Sequence, residues 1–348
     1  MNFTGFLRKM SSNGVFEESQ GLMRLLYQGI LRREPDEAGL AKWTDALMNG
    51  VSPTEIVKSF ITSDEFHRVA PVKLFVPPGH FYSPIVDPNE AERAFVAAEA
   101  RPIPESIPGA AIDRAEMVRT WHSLLPFFSS NAFPHTPTPG FRYAYENGSY
   151  SWGDGSVLQA MIRYRRPKKI IEVGSGWSSA CIIDTIEHYL DEPCELTCID
   201  PYPQLLHQLT GDARSRIRSF ECAVQEVPLE IFDELGRNDI LFVDSTHVLR
   251  TGGDVCRELF EILPRLASRV LVHVHDMFWP FEYPRFWAID ENRSWTELYA
   301  IRAFLMYNDQ WEVVMFNDFL AKLERPMIEA TWPTFLQNTG GALWLRRR

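Results

Sequence analysis

The sequence predicts a doubly wound α/β domain, built on a mostly parallel seven-stranded sheet, that follows a small all-α domain. Short apolar or β-branched runs alternate with helical segments from Lys168 onward, which is typical of a parallel sheet covered on both faces. The predicted strands are 169–173, 195–199, 216–222, 239–243, 268–275, 311–316 and 341–345. Two of them come late in the chain, after the last helix, and close the sheet.

The first 70 residues are predicted to be helical because their apolar residues recur at helical spacing. The predicted apolar faces are Leu22, Leu25, Leu26 and Ile30; Leu40, Trp43 and Leu47; and Ile56, Phe60 and Ile61. Ser52, Pro53 and Glu55 have the spacing of a capping box with proline at the first helical position, so they mark the start of the third helix. No residue in this domain is predicted to be catalytic.

Domain boundaries follow from composition. Residues 1–72 are assigned to the helical domain, 73–140 to a wrapping segment or lid, and 141–348 to the α/β domain. The middle segment is rich in proline and in aromatic residues, which predicts mostly irregular backbone with one helix at about 111–125. Tyr82, in the run GHFYSP, is a candidate to fold over a ligand pocket.

A glycine turn is predicted at the end of the first strand, in the run IIEVGSGWSS. Gly174 and Gly176 permit a tight strand-to-helix turn and a close approach of backbone to ligand. Glu172 precedes them, Ser175 lies between them, and Ser179 occupies the place where a dinucleotide-binding turn has its third glycine. Such a turn can also occur without any ligand.

The second strand ends in the run CIDPYP. Asp200 stands where an acid can accept hydrogen bonds from both hydroxyls of a ribose, and the alternative for this residue is a helix N-cap. Pro201 and Tyr202 are candidates to lie beside the nucleoside. Gln225, after the third strand, is a candidate to border the adenine.

Polar residues cluster after the fourth and fifth strands. Asp244, Ser245 and His247 follow one, and His275 and Asp276 close the other. Ligands bind at the carboxyl ends of the central strands in such folds, so we expect these side chains to converge. His247, His275 and Asp276 are the catalytic candidates, and the two histidines are suited to acid–base chemistry because an imidazole titrates near neutral pH. The alternative is that these residues only form hydrogen bonds that hold the loops.

The runs NDILFVDSTHVLRTGGDV, EILPRLASRVLVHVHDMFWPFEYPRFW and PPGHFYSP resemble a bacterial class I methyltransferase family, over roughly residues 76–345. The resemblance implies a Rossmann-like fold and S-adenosylmethionine as cofactor. It assigns Glu172 to the methionine amino group, Asp200 to the ribose, and Asp244 with Ser245 to the cofactor pocket. The run LYQGILRREPDEAGLAKWTDALMNGVSPTEIVKSFITSDEF resembles a small helical domain of unknown function joined to bacterial enzymes that handle surface glycans.

The positions after the fourth and fifth strands are also similar to the metal site of catechol O-methyltransferase-like enzymes. Carried over, Asp244, His275 and Asp276 would bind a divalent metal, with His275 in place of an acid. Imidazole suits transition metals better than Mg²⁺. A histidine acting as general base without metal is the alternative.

Composition narrows the class of protein. A net charge of −11 without a basic patch argues against a nucleic-acid partner. No membrane span or secretory signal is expected, and the five cysteines show no metal spacing, so the expected location is the cytoplasm. The expected reaction is methylation of an oxygen or nitrogen atom on a small-molecule or glycan-related acceptor. A nicotinamide-dependent oxidoreductase and a non-catalytic cofactor-binding scaffold are the alternatives, and a homo-oligomer is compatible with the sequence.

Overall fold

The computed structural model describes residues 12–63, 65–66 and 75–348. The chain divides into two compact units, Met1–Ser83 and Pro84–Arg348. The predicted boundary at residues 72 and 73 lies outside the described residues and stays a prediction. Among the described helices, none combines the length and the apolar character needed to cross a membrane.

The N-terminal unit contains three helices, α1 (Ser12–Leu31), α2 (Glu37–Met48) and α3 (Pro53–Ile61). The capping box is confirmed, because Ser52 and Glu55 bond each other's backbone at the start of α3. The buried core comprises Met23, Tyr27, Leu31, Leu40, Ile56 and Phe60. The prediction that Leu25 lies on the apolar face is wrong, since it is 66% exposed and α1 instead buries Met23 and Tyr27.

A seven-stranded sheet forms the centre of the C-terminal unit. Its strands are β1 (Lys169–Val173), β2 (Glu195–Ile199), β3 (Arg218–Phe220), β4 (Ile240–Val243), β5 (Leu271–Val274), β6 (Trp311–Phe316) and β7 (Leu343–Arg347). The spatial order is β3-β2-β1-β4-β5-β7-β6. The first five strands are parallel, whereas β7 pairs antiparallel with both β5 and β6. The predicted fold class is therefore confirmed.

The α-helices of this unit are α4 (Pro88–Glu99), α5 (Arg114–Ser129), α6 (Trp152–Arg165), α7 (Trp177–Tyr189), α8 (Gln204–Thr210), α9 (Asp254–Arg257), α10 (Glu297–Leu305), α11 (Asn317–Leu323) and α12 (Arg325–Thr331). Shorter 3-10 segments are Gly211–Arg216, Val224–Glu226, Leu229–Glu234, Leu263–Arg265 and Pro333–Gln337. Two π-helical turns cover Glu258–Ile262 and Phe286–Asp290.

Burial explains both the sheet and the proline-rich segment. Every residue of β4 and β5 is buried, as expected for central parallel strands covered on both faces. Trp121, Phe128 and Phe133 belong to the same core. Phe81 and Tyr82, which belong to the N-terminal unit, are 79% and 68% exposed. The proline-rich segment therefore differs along its length, because only its later aromatic residues are buried.

The sheet order reverses between β1 and β4, which run side by side in the same direction. The chain therefore leaves these neighbouring strands toward opposite edges of the sheet. Such a reversal opens a crevice at the carboxyl ends of the strands. The loops after β1, β4 and β5 meet at that crevice.

Candidate functional site

The turn after β1 lies directly against the end of β4. Gly174 has φ +79°, and a Cβ added there would stand 1.8 Å from the carbonyl oxygen of Asp244. The position therefore requires glycine for two reasons, its left-handed backbone and this contact. Gly174 N donates to Ile199 O at 3.0 Å and Asp244 N donates to Val173 O at 2.9 Å. These bonds hold the ends of three strands together.

Glu172 is completely buried beneath this turn. Its Oε1 accepts from Ser178 Oγ at 2.6 Å, and its Oε2 accepts from Ser179 Oγ at 2.5 Å and from Cys198 Sγ at 3.3 Å. Burial raises the pKa of Glu172 to about 7 even though these donors oppose the rise. Both carboxylate oxygens thus have partners inside the protein, and a direct contact with a cofactor amino group stays a prediction.

Asp200 ties the first turn to the second. Its Oδ2 accepts from Ser175 N at 3.0 Å and from Ser175 Oγ at 2.6 Å, while its Oδ1 accepts from Tyr202 N at 2.7 Å. The N-cap residue of α8 is Pro203, so Asp200 does not cap that helix. Pro201 and Tyr202 are exposed.

A cavity of about 190 Å³ opens at these turns. It is lined by Ser149, Tyr150, Ser175, Gly176, Trp177, Ser178, Leu205 and Asp244. Three of the candidate cofactor residues therefore share one cavity wall. The prediction did not include Trp177 and Ser178, which also line the cavity. Both directly follow the glycine turn, and this position in the sequence could have identified them. Leu205 and Ser149 carry no such signal, because they reach the cavity from separate loops.

Other candidate residues have different surroundings. Gln225 is exposed and donates through Nε2 to Gly252 O at 3.0 Å, and it is not among the residues lining the cavity. Ser245 Oγ donates to Glu258 Oε2 at 3.2 Å. Ser179 is buried with Glu172. Tyr82 belongs to the N-terminal unit, and its role over the cofactor stays a prediction.

An acid–histidine cluster stands where β4 and β5 end. Nε2 of His247 is 3.3 Å from Asp244 Oδ1 and 3.4 Å from Asp276 Oδ2. Nδ1 of the same ring is 2.8 Å from Oε2 of Glu297, a buried residue at the start of α10. One imidazole therefore contacts three carboxylates. Sequence reasoning missed Glu297, because it lies fifty positions from His247 and no motif links them.

Two residues of the cluster have left-handed backbone, His247 with φ +60° and Asp276 with φ +56°. This conformation is uncommon outside glycine and is retained where surrounding contacts fix it. The carbonyl of His247 accepts from Thr296 N at 2.9 Å and from Glu297 N at 3.0 Å, and Met277 N donates to Gly341 O at 2.7 Å. These bonds fix both loops in the strained form.

The carboxylates dominate the electrostatics of the cluster. Burial would lower the pKa of His247, but its hydrogen bonds to Asp244 and Glu297 outweigh burial and raise that pKa to about 11. Removal from bulk water opposes ionisation of Asp244, yet the nearby His275 and His247 lower its pKa to about 2. The carboxylates therefore stabilise a positive charge at the His247 ring, including at Nε2 between the two aspartates.

His275 takes a different place from the one predicted. Its Nε2 is 3.5 Å from Asp276 Oδ1, and its Nδ1 is buried with no hydrogen-bond partner among the described residues. Among those residues, the group whose ligand atoms lie within 4.8 Å of one another is Asp244, His247 and Asp276. The predicted metal set was Asp244, His275 and Asp276, and this group contains His247 in place of His275; metal binding itself stays a prediction.

Comparison with known families identifies the kind of protein. Residues 171–277, which include the glycine turn, Asp200 and the acid–histidine cluster up to Asp276, match a family described as a methyltransferase domain. The chain contains a methyltransferase domain. The enzyme class is therefore that of a methyltransferase, in agreement with the sheet order observed above. Residues 16–69 match a domain of unknown function (DUF4214).

The individual proteins that this methyltransferase resembles are only distantly similar to it. A protein of Archaeoglobus fulgidus described as uncharacterized is 28% identical over 170 residues, which cover 48% of this chain and 76% of that protein. An SAH-bound methyltransferase from Podospora anserina is 15% identical, with 80% of this chain and 100% of that chain covered and a TM-score of 0.37. An O-methyltransferase from Bacillus cereus in complex with SAH is 12% identical, with 66% and 91% covered and a TM-score of 0.36. These structural similarities are too weak to bear on the substrate.

Proposed function

We propose that this methyltransferase transfers the methyl group to a hydroxyl or amino group of a small-molecule or glycan-related acceptor, at a divalent metal ion held by Asp244, His247 and Asp276. The observation that carries the proposal is the convergence of Nε2 of His247 with one oxygen of each aspartate. The cavity lined by Ser175, Gly176 and Asp244 would hold the cofactor. Asp244 thus belongs to both parts of the site.

The donor set fits a divalent cation. Two carboxylate oxygens and one imidazole nitrogen favour a transition metal such as Mn²⁺, Fe²⁺ or Zn²⁺ over Mg²⁺. Glu297 lies where it can accept the Nδ1 proton of His247, so that a bound cation would replace the second ring proton at Nε2, between the two aspartates. Such an outer carboxylate is a common support of metal-binding histidines, because it fixes the tautomer and raises the basicity of the ring.

The chain's own residues would orient the reaction. A bound divalent cation would lower the pKa of an acceptor hydroxyl and favour its attacking form. The contact between Gly174 and the Asp244 backbone keeps the cofactor turn beside that acceptor position. Methyl transfer is an in-line displacement, so the gain from this arrangement is alignment of the nucleophile with the methyl carbon. Tyr150, which lines the cavity and has a buried hydroxyl, would help to exclude water.

Binding of Mn²⁺ followed by electron paramagnetic resonance tests the metal site without an acceptor. We expect one tight site in the wild-type protein that is lost in Asp244→Asn and Asp276→Asn. Glu297→Gln should weaken it by ~10–100-fold, the usual effect of removing the outer partner of a metal ligand. Asp233→Asn removes an exposed surface carboxylate and is the matched control.

Calorimetry with S-adenosylmethionine on the same variants separates the two parts of the proposal. Cofactor affinity should change little in His247→Ala, because that side chain faces the acceptor side. Unchanged Mn²⁺ binding in the Asp244→Asn, Asp276→Asn double variant would refute the metal site. In that case His275, with its free buried Nδ1, becomes the candidate general base, and turnover should survive chelation.

A further inference from the structure

A second cavity, of about 410 Å³, lies in the C-terminal unit between α4 and the segment 282–299. The wall on α4 comprises Ala91, Ala94, Phe95 and Ala98, whose spacing places them on one helical face. The opposite wall comprises Tyr283, Trp287, Trp295 and Tyr299. Three alanines and Phe95 on one side thus face four aromatic rings on the other, and the space between them has the size of a ligand pocket.

Direct contacts connect the two walls of the cavity. Val86 N donates to Ser294 Oγ at 3.2 Å, and Arg285 pairs with Glu92 of α4. Trp287 and Trp295 meet edge to face with ring centroids 5.4 Å apart. The helix α4 and the residues just before it are therefore attached to the segment 282–299 by an ion pair and a hydrogen bond.

Most polar side chains of the wall have partners within the protein, whereas Glu90 of α4 is exposed. Glu282 accepts from Tyr299 Oη, and Thr296 Oγ1 accepts from Leu249 N at 2.8 Å. The Arg293 guanidinium lies 4.0 Å from the Trp287 ring centroid and pairs with Glu291. A sugar needs several free hydrogen-bonding partners, whereas a flat apolar ring needs only aromatic faces. The wall therefore favours the second kind of ligand.

The same cavity adjoins the acid–histidine cluster. The Trp295 ring, which lines the cavity, lies 4.4 Å from the His247 ring between centroids. Thr296, another lining residue, donates its backbone N–H to the carbonyl of His247. A ligand in this space therefore shares a wall with the residue at the centre of the proposed reaction.

We infer that this cavity binds the body of the methyl acceptor, and that the acceptor is a flat aromatic compound bearing a hydroxyl group. The inference rests on the proposed function, to which it adds the class of substrate. The ring of the acceptor lies between the α4 wall of the cavity and the indoles of Trp287 and Trp295. Its hydroxyl extends past Trp295 toward Asp244, His247 and Asp276. The choice excludes a free sugar as the acceptor.

The test measures binding of 2-naphthol to the full chain by calorimetry, with methyl β-D-glucopyranoside as the sugar probe. Ala94 lines the cavity and is itself exposed, so Ala94→Trp places a large ring in the cavity without replacing a buried residue. Val96→Trp is the matched control, since it places the same ring about 200° around the helix, on an exposed residue that does not line the cavity. We expect naphthol affinity to fall by at least ~10-fold in Ala94→Trp and to stay unchanged in Val96→Trp.

Equal naphthol affinity in both variants overturns the inference, and so does tighter binding of the glucoside than of naphthol by the wild-type chain. Absence of naphthol binding to a wild-type chain that binds S-adenosylmethionine also overturns it, and leaves the proposed methyl transfer standing. If the wild-type chain binds no S-adenosylmethionine, the proposed function fails instead, whatever the result with naphthol. Cofactor affinity and thermal unfolding of both tryptophan variants confirm that they are folded.

Discussion

Raising the pH should destabilise the C-terminal unit of the cofactor-free protein through one buried carboxyl, Glu172. Burial raises its pKa from 4.5 to about 7, so the folded state binds this proton more tightly than the unfolded state does. The stability that the neutral form contributes is present in full below pH 4.5 and is lost as the pH rises to about 7. Above that pH the carboxyl is ionised in both states, and the loss is complete.

The magnitude follows from the width of this interval. Each pKa unit corresponds to about 1.4 kcal/mol, so ionisation of Glu172 costs the folded state about 3 kcal/mol. That is a large part of the ~5–15 kcal/mol by which domains are stable. Glu172→Gln removes the titration and keeps an oxygen that can accept from Ser178 Oγ or Ser179 Oγ.

Urea unfolding at several pH values, followed by tryptophan fluorescence, measures the effect. Nine of the ten tryptophans lie after residue 83, so the signal reports mainly on the C-terminal unit. The free energy of unfolding of the wild type relative to Glu172→Gln should fall by about 2–3 kcal/mol between pH 5 and 8. Glu195→Gln, which removes an exposed carboxylate from β2, is the control and should follow the wild type. Parallel curves for the wild type and Glu172→Gln would refute the reasoning.

Two further predictions concern the cofactor and the domains. Asp200→Ala should weaken S-adenosylmethionine binding by ~10–100-fold, because it removes a charge-assisted hydrogen-bond acceptor and the hydrogen bonds that hold Ser175. Calorimetry measures the affinity, and an unchanged value in the folded variant would exclude Asp200 from the site. Deletion of residues 1–70, which contain α1, α2 and α3 and leave Tyr82 in place, should not change cofactor binding, since compact units fold on their own. A soluble truncated protein that binds no cofactor would contradict this independence.

Local signals in the sequence predicted the fold well. The predicted bounds of β1, β2 and β6 agree with the structure, and β3 is shorter than expected. These strands are apolar runs with clear ends, and hydrophobic periodicity needs no knowledge of distant contacts. Leu25 shows where this approach fails. Several apolar residues near it allow more than one helical face, and only packing selects the face that is buried.

The site depends on contacts that a linear pattern does not contain. Asp244 and Asp276 were predicted from strand ends, because parallel strands deliver their following residues to one edge. The choice between His247 and His275 depends on the left-handed backbone of His247 and on Glu297. Both features are fixed by the packing of α10 against the loop after β4, so neither has a local signature.

The contact between Gly174 and Asp244 links two loops that have different tasks. No side chain fits between the cofactor turn and the backbone that carries the first acid of the cluster. A shift of one loop would therefore displace the other, so the proposed function implies that the cofactor and acceptor sides are coupled at this point. Changes of acceptor specificity are then expected to arise in the segment 282–299 and in α4, which line the cavity of about 410 Å³ and lie outside this junction.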